Sequence, residues 1–139
     1  MKQVFRFVII GLFLGATVAM ANEAEKKESA IASAEKWLSI VDNGNYAESW
    51  QEASEFLKQA VTRDQWEQAV QSVRKPLGKR VSRELIRAAY TTSLPGAPDG
   101  EYVVIQFDTS FENKKSGIET VTPMLCKDGK WRISGYYVK

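Results

Sequence analysis

The chain has 139 residues, 44% of them apolar and 26% charged, with 19 Lys and Arg against 17 Asp and Glu. It contains one cysteine and no histidine. Those counts exclude an intramolecular disulfide framework, a histidine-based metal centre and a histidine general base.

At the start of the chain, Lys2 and Arg6 precede an apolar run from Phe7 to Val18, and Ala19, Met20 and Ala21 follow it. A charged segment, a short apolar stretch and small residues at the −3 and −1 positions predict a secretory signal peptide, residues 1–21, cleaved after Ala21. The rival reading is an uncleaved membrane anchor, but a span takes roughly 20 apolar residues. No cysteine directly follows the apolar run to carry a diacyl anchor. The leader holds two basic residues and no acidic ones, so residues 22–139 carry seventeen of each sign. A neutral mature chain supports neither nucleic-acid binding nor attachment to an anionic membrane, and after cleavage no stable membrane insertion is expected. The expectation is one periplasmic or secreted domain of 118 residues, enough to bury about two thirds of its unfolded surface.

From Glu25 to Val41, Ile31, Ala34, Leu38 and Val41 recur at helical steps, with Trp37 and Ile40 widening the stripe. "DNGN" from Asp42 to Asn45 stops this helix, Gly44 supplying the left-handed residue. A second helix opens near Tyr46, with Trp50, Ala53, Phe56 or Leu57, and Ala60 on its stripe. A third starts at Thr62, whose capping-box partner is Gln65, and continues through Trp66, Val70 and Val73 to Pro76 and Gly78. "VSRELIRAAY", Val81 to Tyr90, is ambiguous, but Leu85 between Arg83 and Arg87 favours a strand.

Beyond the loop "SLPGAPDGE", "EYVVIQFDTSF" is rich in β-branched and aromatic residues, with Val103, Ile105, Phe107 and Phe111 on one face. The last stretch, "GIETVTPMLCKDGKWRISGYYVK", predicts a hairpin with Asp128 and Gly129 in a two-residue type I′ turn. That register pairs Cys126 with Trp131, Met124 with Ile133 and Thr120 with Tyr137 on a core face. Leu125 with Arg132, Pro123 with Ser134, Val121 with Tyr136 and Glu119 with Val138 form a more polar face. Cys126 reads as a buried thiol behaving as a small hydrophobe.

About three helices followed by three or four antiparallel strands make an α+β domain, with the helices on one face of a curved sheet. The spacing of Trp37, Asp42, Tyr46, Trp50 and Trp66, with "RKPLG", "GEYVVIQFDTSF", "ETVTPM" and "GKWRISGYY", resembles the bacterial domain of unknown function 4019 family over essentially the whole mature chain. The resemblance implies a small exported cone, cystatin-like or nuclear transport factor 2-like. It implies no activity, no catalytic residue and no cofactor.

Three functions remain open on residue types. The first is a non-catalytic module that binds a small ligand or a protein. Its candidate pocket or interface residues are Trp50, Trp66, Tyr102, Glu119, Arg132 and Tyr136. Arg83 and Arg87 beside Glu84, and Glu119 across the hairpin from Arg132, are further anchors for a charged partner. Core packing is the plainer account of the aromatics, and solvated pairing of the charges. The second is a ketosteroid-isomerase-like proton-transfer enzyme, needing a carboxylate in a dry pocket and a tyrosine to stabilise the oxyanion. Asp42, Asp108, Glu119, Tyr90, Tyr102 and Tyr136 supply the types, although Asp42 reads more simply as a capping or loop residue. No metal-ligand spacing, phosphate loop or nucleophile motif occurs. The third is a homodimeric interaction domain joined through Leu125, Val121, Pro123 and Tyr136.

Overall fold

The computed structural model describes the backbone of residues 4–139 and the side chains of residues 20–139. The side chains of Lys2, Arg6 and the apolar run from Phe7 to Val18, on which the expected signal peptide rests, lie outside that description. Among the described residues, no helix is long and apolar enough to cross a membrane. Helices α1 (Val4–Asp42), α2 (Tyr46–Gln51), α3 (Glu55–Ala60) and α4 (Arg63–Leu77) precede strands β1 (Arg80–Thr91), β2 (Tyr102–Phe111), β3 (Lys114–Leu125) and β4 (Trp131–Val138). The strands form one antiparallel sheet in the order β1-β2-β3-β4. The domain is therefore α+β, with helices first and an open sheet after them.

Ala30, Ala34, Trp37, Leu38 and Val41 form the buried stripe of α1, at the three- and four-residue steps that put side chains on one helix face. Gly44 ends the run at φ 78°, a conformation that costs a residue without Cβ little. The single helix expected from Tyr46 to Ala60 is instead two. Ser54 stands between them as an N-cap at φ −66°, ψ 155°, its hydroxyl accepting from the Leu57 amide at 3.2 Å. Its own amide donates to the Ile133 carbonyl at 3.0 Å, so the break docks the helices on β4. Helix continuation loses here because a serine hydroxyl competes for backbone donors.

The expected start of α4 is confirmed in both halves of its capping box. The Thr62 hydroxyl accepts from the Gln65 amide at 3.2 Å, and the Gln65 side chain accepts from the Thr62 amide at 3.0 Å. Thr62→Ala should cost about 1 kcal/mol, read as a lowered urea midpoint with an unchanged slope. The stripe of α4 differs from expectation at its end. Trp66, Val70 and Arg74 are buried at four-residue steps, whereas Val73 is 44% exposed.

The inner face of the sheet can be read across the strands from their pairings. Arg83, Thr109 and Gly117 make one row; Leu85, Phe107, Glu119 and Val138 the next; Ala88, Ile105, Val121 and Tyr136 a third. Val103, Ile105, Phe107 and Phe111 are all buried, as their alternation requires. Val103, Ile105 and Phe107 join residues of α1, α3 and α4 in a core that includes Trp37, Leu38, Leu57, Trp66, Val70, Trp131 and Ile133.

The hairpin departs from expectation at its turn and, through the turn, in its faces. The Gly129 amide donates to the Cys126 carbonyl at 2.9 Å and the Cys126 amide to the Lys130 carbonyl at 2.8 Å. Only Gly129, at φ 83°, has a positive φ, so Asp128 does not take the conformation that a type I′ turn demands. The loop is the three-residue kind, a tight turn followed by a left-handed glycine. Leu125 then faces Trp131 and Pro123 faces Ile133, and a bulge between Thr122 and Pro123 restores the expected pairing of Val121 with Tyr136 and of Glu119 with Val138. The bulge turns Trp131 and Ile133 to the same side as Tyr136. Tyr136 therefore points inward, against Trp37, and Tyr137 is the exposed tyrosine at 57%. Cys126 is half-buried beside the hairpin turn rather than in the core. Val121 and Pro123, expected at the centre of a homodimer interface, are buried within the monomer.

Candidate functional site

One buried cluster gathers charge from every layer of the fold. Asp42 is the last residue of α1; Arg74 comes from the inner stripe of α4, Arg80 and Arg83 from β1, Thr109 from β2, Glu119 from β3 and Tyr136 from β4. Asp42 Oδ1 accepts from Arg74 Nη2 at 2.8 Å and Arg83 Nη2 at 3.0 Å, while Oδ2 accepts from Arg83 Nη1 at 2.8 Å. Arg80 Nε adds an ion pair to Oδ2 at 3.1 Å. Glu119, fully buried, accepts from Arg83 Nε at 2.7 Å and Thr109 Oγ1 at 2.5 Å on Oε1, and from the Tyr136 hydroxyl at 2.6 Å on Oε2.

Aromatic rings form the walls. The Arg74 guanidinium lies 4.9 Å from the centre of the Phe111 ring, and the Arg83 guanidinium 5.9 Å from that of Phe107. Trp37 packs on Tyr136 at 5.4 Å and on Trp66 at 6.1 Å between ring centres. Both indoles are satisfied through Ser49: Trp37 Nε1 donates to its carbonyl at 2.8 Å and Trp66 Nε1 to its hydroxyl at 2.9 Å. Within the described residues, Arg74 Nε alone is a buried side-chain nitrogen or oxygen without a hydrogen-bond partner.

This arrangement is a clamp. A general base must present a lone pair to substrate within about 3 Å, and both Glu119 oxygens are engaged by internal donors with no exposed surface. Burial and the adjacent Glu119 charge push the Tyr136 hydroxyl well above its ordinary range, only partly offset by Arg74, so it remains a protonated donor. Burial alone would raise the Asp42 carboxyl, but hydrogen bonds from Arg83 and Arg74 overcome it and hold the group below the usual carboxylate range.

The sign of the linkage follows. A carboxyl lowered on folding contributes stability that is present above its unfolded pKa, about 3.9, and is lost as pH falls through the lower folded value. Urea midpoints should therefore fall in acid below about pH 4, and part of this acid dependence should vanish in Asp42→Asn. An acid limb identical in the variant and the wild type would show that Asp42 is not its source.

The other sequence candidates lie elsewhere. Of the six residues expected to line a pocket or interface, only Glu119 and Tyr136 meet; Trp66 stands one ring away, behind Trp37. Trp50 is half-buried, donating to the Val61 carbonyl at 3.0 Å. Tyr102 is buried on the outer face of the sheet, its hydroxyl donating to the Pro98 carbonyl at 2.5 Å. Arg132 pairs with Asp128, at 2.7 Å, and not with Glu119, whose cation is Arg83. Tyr90 donates to Glu101 at 2.8 Å, and the exposed Asp108 accepts from Ser116 at 2.9 Å.

Arg132 does border a second feature, an open cleft of about 480 Å³ between α1 and the hairpin. Trp37, Ile40, Trp131 and Ile133 give it apolar surface, and Ser33, Lys36, Glu52 and Lys130 are among its polar lining. The cleft and the clamp share Trp37.

A family model described as protein of unknown function (DUF4019) matches residues 33–136. The chain belongs to the DUF4019 family. The matched segment holds every member of the clamp, from Asp42 to Tyr136. No curated protein and no solved structure matches the chain.

Sequence reasoning missed the clamp as a unit, and above all Arg74. Two signals were available. Arg74 continues the apolar series Trp66, Val70 at the next four-residue step, and Glu119 alternates with Val121 and Pro123 on a strand. A charge on a buried stripe demands a partner.

Proposed function

We propose that this DUF4019 protein is an exported, non-catalytic binding module, delivered to the periplasm or medium by cleavage after Ala21, that holds a small ligand or a protein segment in the cleft between α1 and the hairpin. The cleft itself carries the reading. Its volume, about 480 Å³, falls within the range of about 300–1,000 Å³ typical of ligand sites, and it combines apolar walls with a few polar groups. The hydrogen bonding of Glu119 supports binding over isomerase-type proton transfer, because the one deeply buried carboxylate on the sheet has no exposed surface and both of its oxygens are already held by internal donors. Helices laid on the inner face of a bulged sheet are compatible with a cystatin-like or nuclear transport factor 2-like cone.

Native mass spectrometry of the full chain, expressed with its leader and purified gently from the envelope fraction, reads processing and occupancy together. The expected result is a polypeptide beginning at Asn22 with a retained small molecule or peptide, which is lost when Lys36→Glu and Lys130→Glu are combined. A bare polypeptide that takes up nothing from an envelope extract overturns the binding reading.

A further inference from the structure

The two edges of the sheet are treated differently. On β4 the Ile133 carbonyl is taken by the Ser54 amide at 3.0 Å and the Trp131 carbonyl by the Ser33 hydroxyl at 2.6 Å, so this edge is partly covered. On β1, twelve residues long, no backbone group from Val81 to Thr91 bonds to any segment besides β2 among the described residues. The same strand exposes three large apolar side chains, Val81 at 66%, Leu85 at 43% and Ile86 at 54%. An unpaired edge with exposed apolar residues is a template for strand addition.

The charges on β1 select the partner. Glu84 pairs with Asp108 and Arg87 with Gln106, two residues apart on β2, while Ile86 is the extra residue of a bulge. Positions two apart on a strand share a face and a hydrogen-bonding direction. The bulge therefore leaves Glu84 and Arg87 on the same outer face with the same backbone orientation, although they are three apart in sequence. Both are exposed.

We propose that β1 is a homodimer interface, in which two copies pair antiparallel about a two-fold axis between Leu85 and Ile86 to make one continuous eight-stranded sheet. That axis is the midpoint of Arg80–Thr91, so the whole strand is used. The register sets Glu84 of each copy opposite Arg87 of the other, twice by symmetry, with Leu85 opposite Ile86 between them. Arg83 falls opposite Ala88 on the inner face, which spares it for the clamp. An isologous interface requires such self-complementarity. An edge contact buries little area, so the dimer is a weak one that forms at micromolar or higher concentration.

Sedimentation equilibrium of the full-chain product over a concentration series tests the register through charge. Glu84→Arg alone and Arg87→Glu alone each place like charges opposite one another twice, and each should weaken dimerisation about tenfold or more. Two outcomes are specific to this geometry: the double variant Glu84→Arg/Arg87→Glu should dimerise like the wild type, and an equal mixture of the two single variants should form heterodimers. A wild type that stays monomeric up to millimolar concentration overturns the proposal. So does a dimer indifferent to both single changes, or a mixture no more associated than its components. Both residues are exposed and absent from the core, and far-ultraviolet circular dichroism confirms that each variant is folded before it is scored.

Discussion

Glu119→Ala should destabilise the domain by about 3 to 5 kcal/mol, the usual cost of removing one partner from a buried ion pair. Glu119 has no exposed surface, and Arg83 is 9% exposed at its side chain, so the guanidinium left behind cannot recover water in place of the lost carboxylate. Thr109 and Tyr136 would lose their acceptor at the same time. The loss is one of pairing more than of attraction, because the desolvation of two charges offsets much of their mutual gain. That distinction is measurable. The double variant Glu119→Leu/Arg83→Met should be less destabilised than the sum of its parts, with a coupling energy on the order of 1 to 3 kcal/mol in urea denaturation. Asp42 would still be neutralised in it by Arg74 and Arg80. Strict additivity of the two single costs would remove the claim that the clamp acts as a unit.

Trp37→Ala should cost a similar amount, about 3 to 5 kcal/mol, from a different cause. The indole is 4% exposed and lies between Tyr136 and Trp66, so truncation opens a cavity where three elements meet. It also frees the Ser49 carbonyl that its Nε1 satisfies. Trp37→Phe keeps most of the apolar volume and loses the hydrogen bond, so it should fall well short of the alanine variant. Thermal unfolding of the two variants separates volume from polarity. Equal melting temperatures for the pair would mean that the hydrogen bond to Ser49, and not packing, is what Trp37 contributes.

The boundary between what was legible in sequence and what was not follows the range of the interaction. Short-range signals read correctly: the stripe of α1 that ends at Gly44, the capping box of Thr62 and Gln65, and the alternation from Val103 to Phe107 each involve residues within a turn or a few strand positions. Ser54 is the instructive short-range miss. Its capping chemistry was visible in principle, but the apolar stripe from Trp50 to Ala60 ran through it, and the docking of its amide on Ile133 adds to the cap a long-range bond that favours the break.

The turn at Gly129 shows how one local ambiguity propagates. Asp-Gly is compatible with a two-residue and with a three-residue loop, and because side chains alternate with period two, the choice of loop and a compensating bulge near Thr122 decide which tyrosine faces the core. The sheet could be inferred, but not which of its faces the helices cover at the hairpin. Tyr136 and Tyr137 exchange roles on that account.

By itself, then, the sequence determined the α+β class, helices before strands, the capping box at Thr62, the strand alternation from Val103 to Phe107, and membership of its family, because hydrophobic period and capping act over a few residues. Tertiary structure alone decided that Asp42, Arg74, Arg83, Glu119 and Tyr136 form one clamp, which face of the hairpin is inside, and which sheet edge is left unpaired among the described residues. The clamp depends on pairing between residues 17 to 62 positions apart, such as Glu119 with Tyr136 or Arg74 with Tyr136, and the low dielectric that makes such pairs obligatory exists only once the core has closed; the hairpin face follows from a bulge in the β3–β4 pairing.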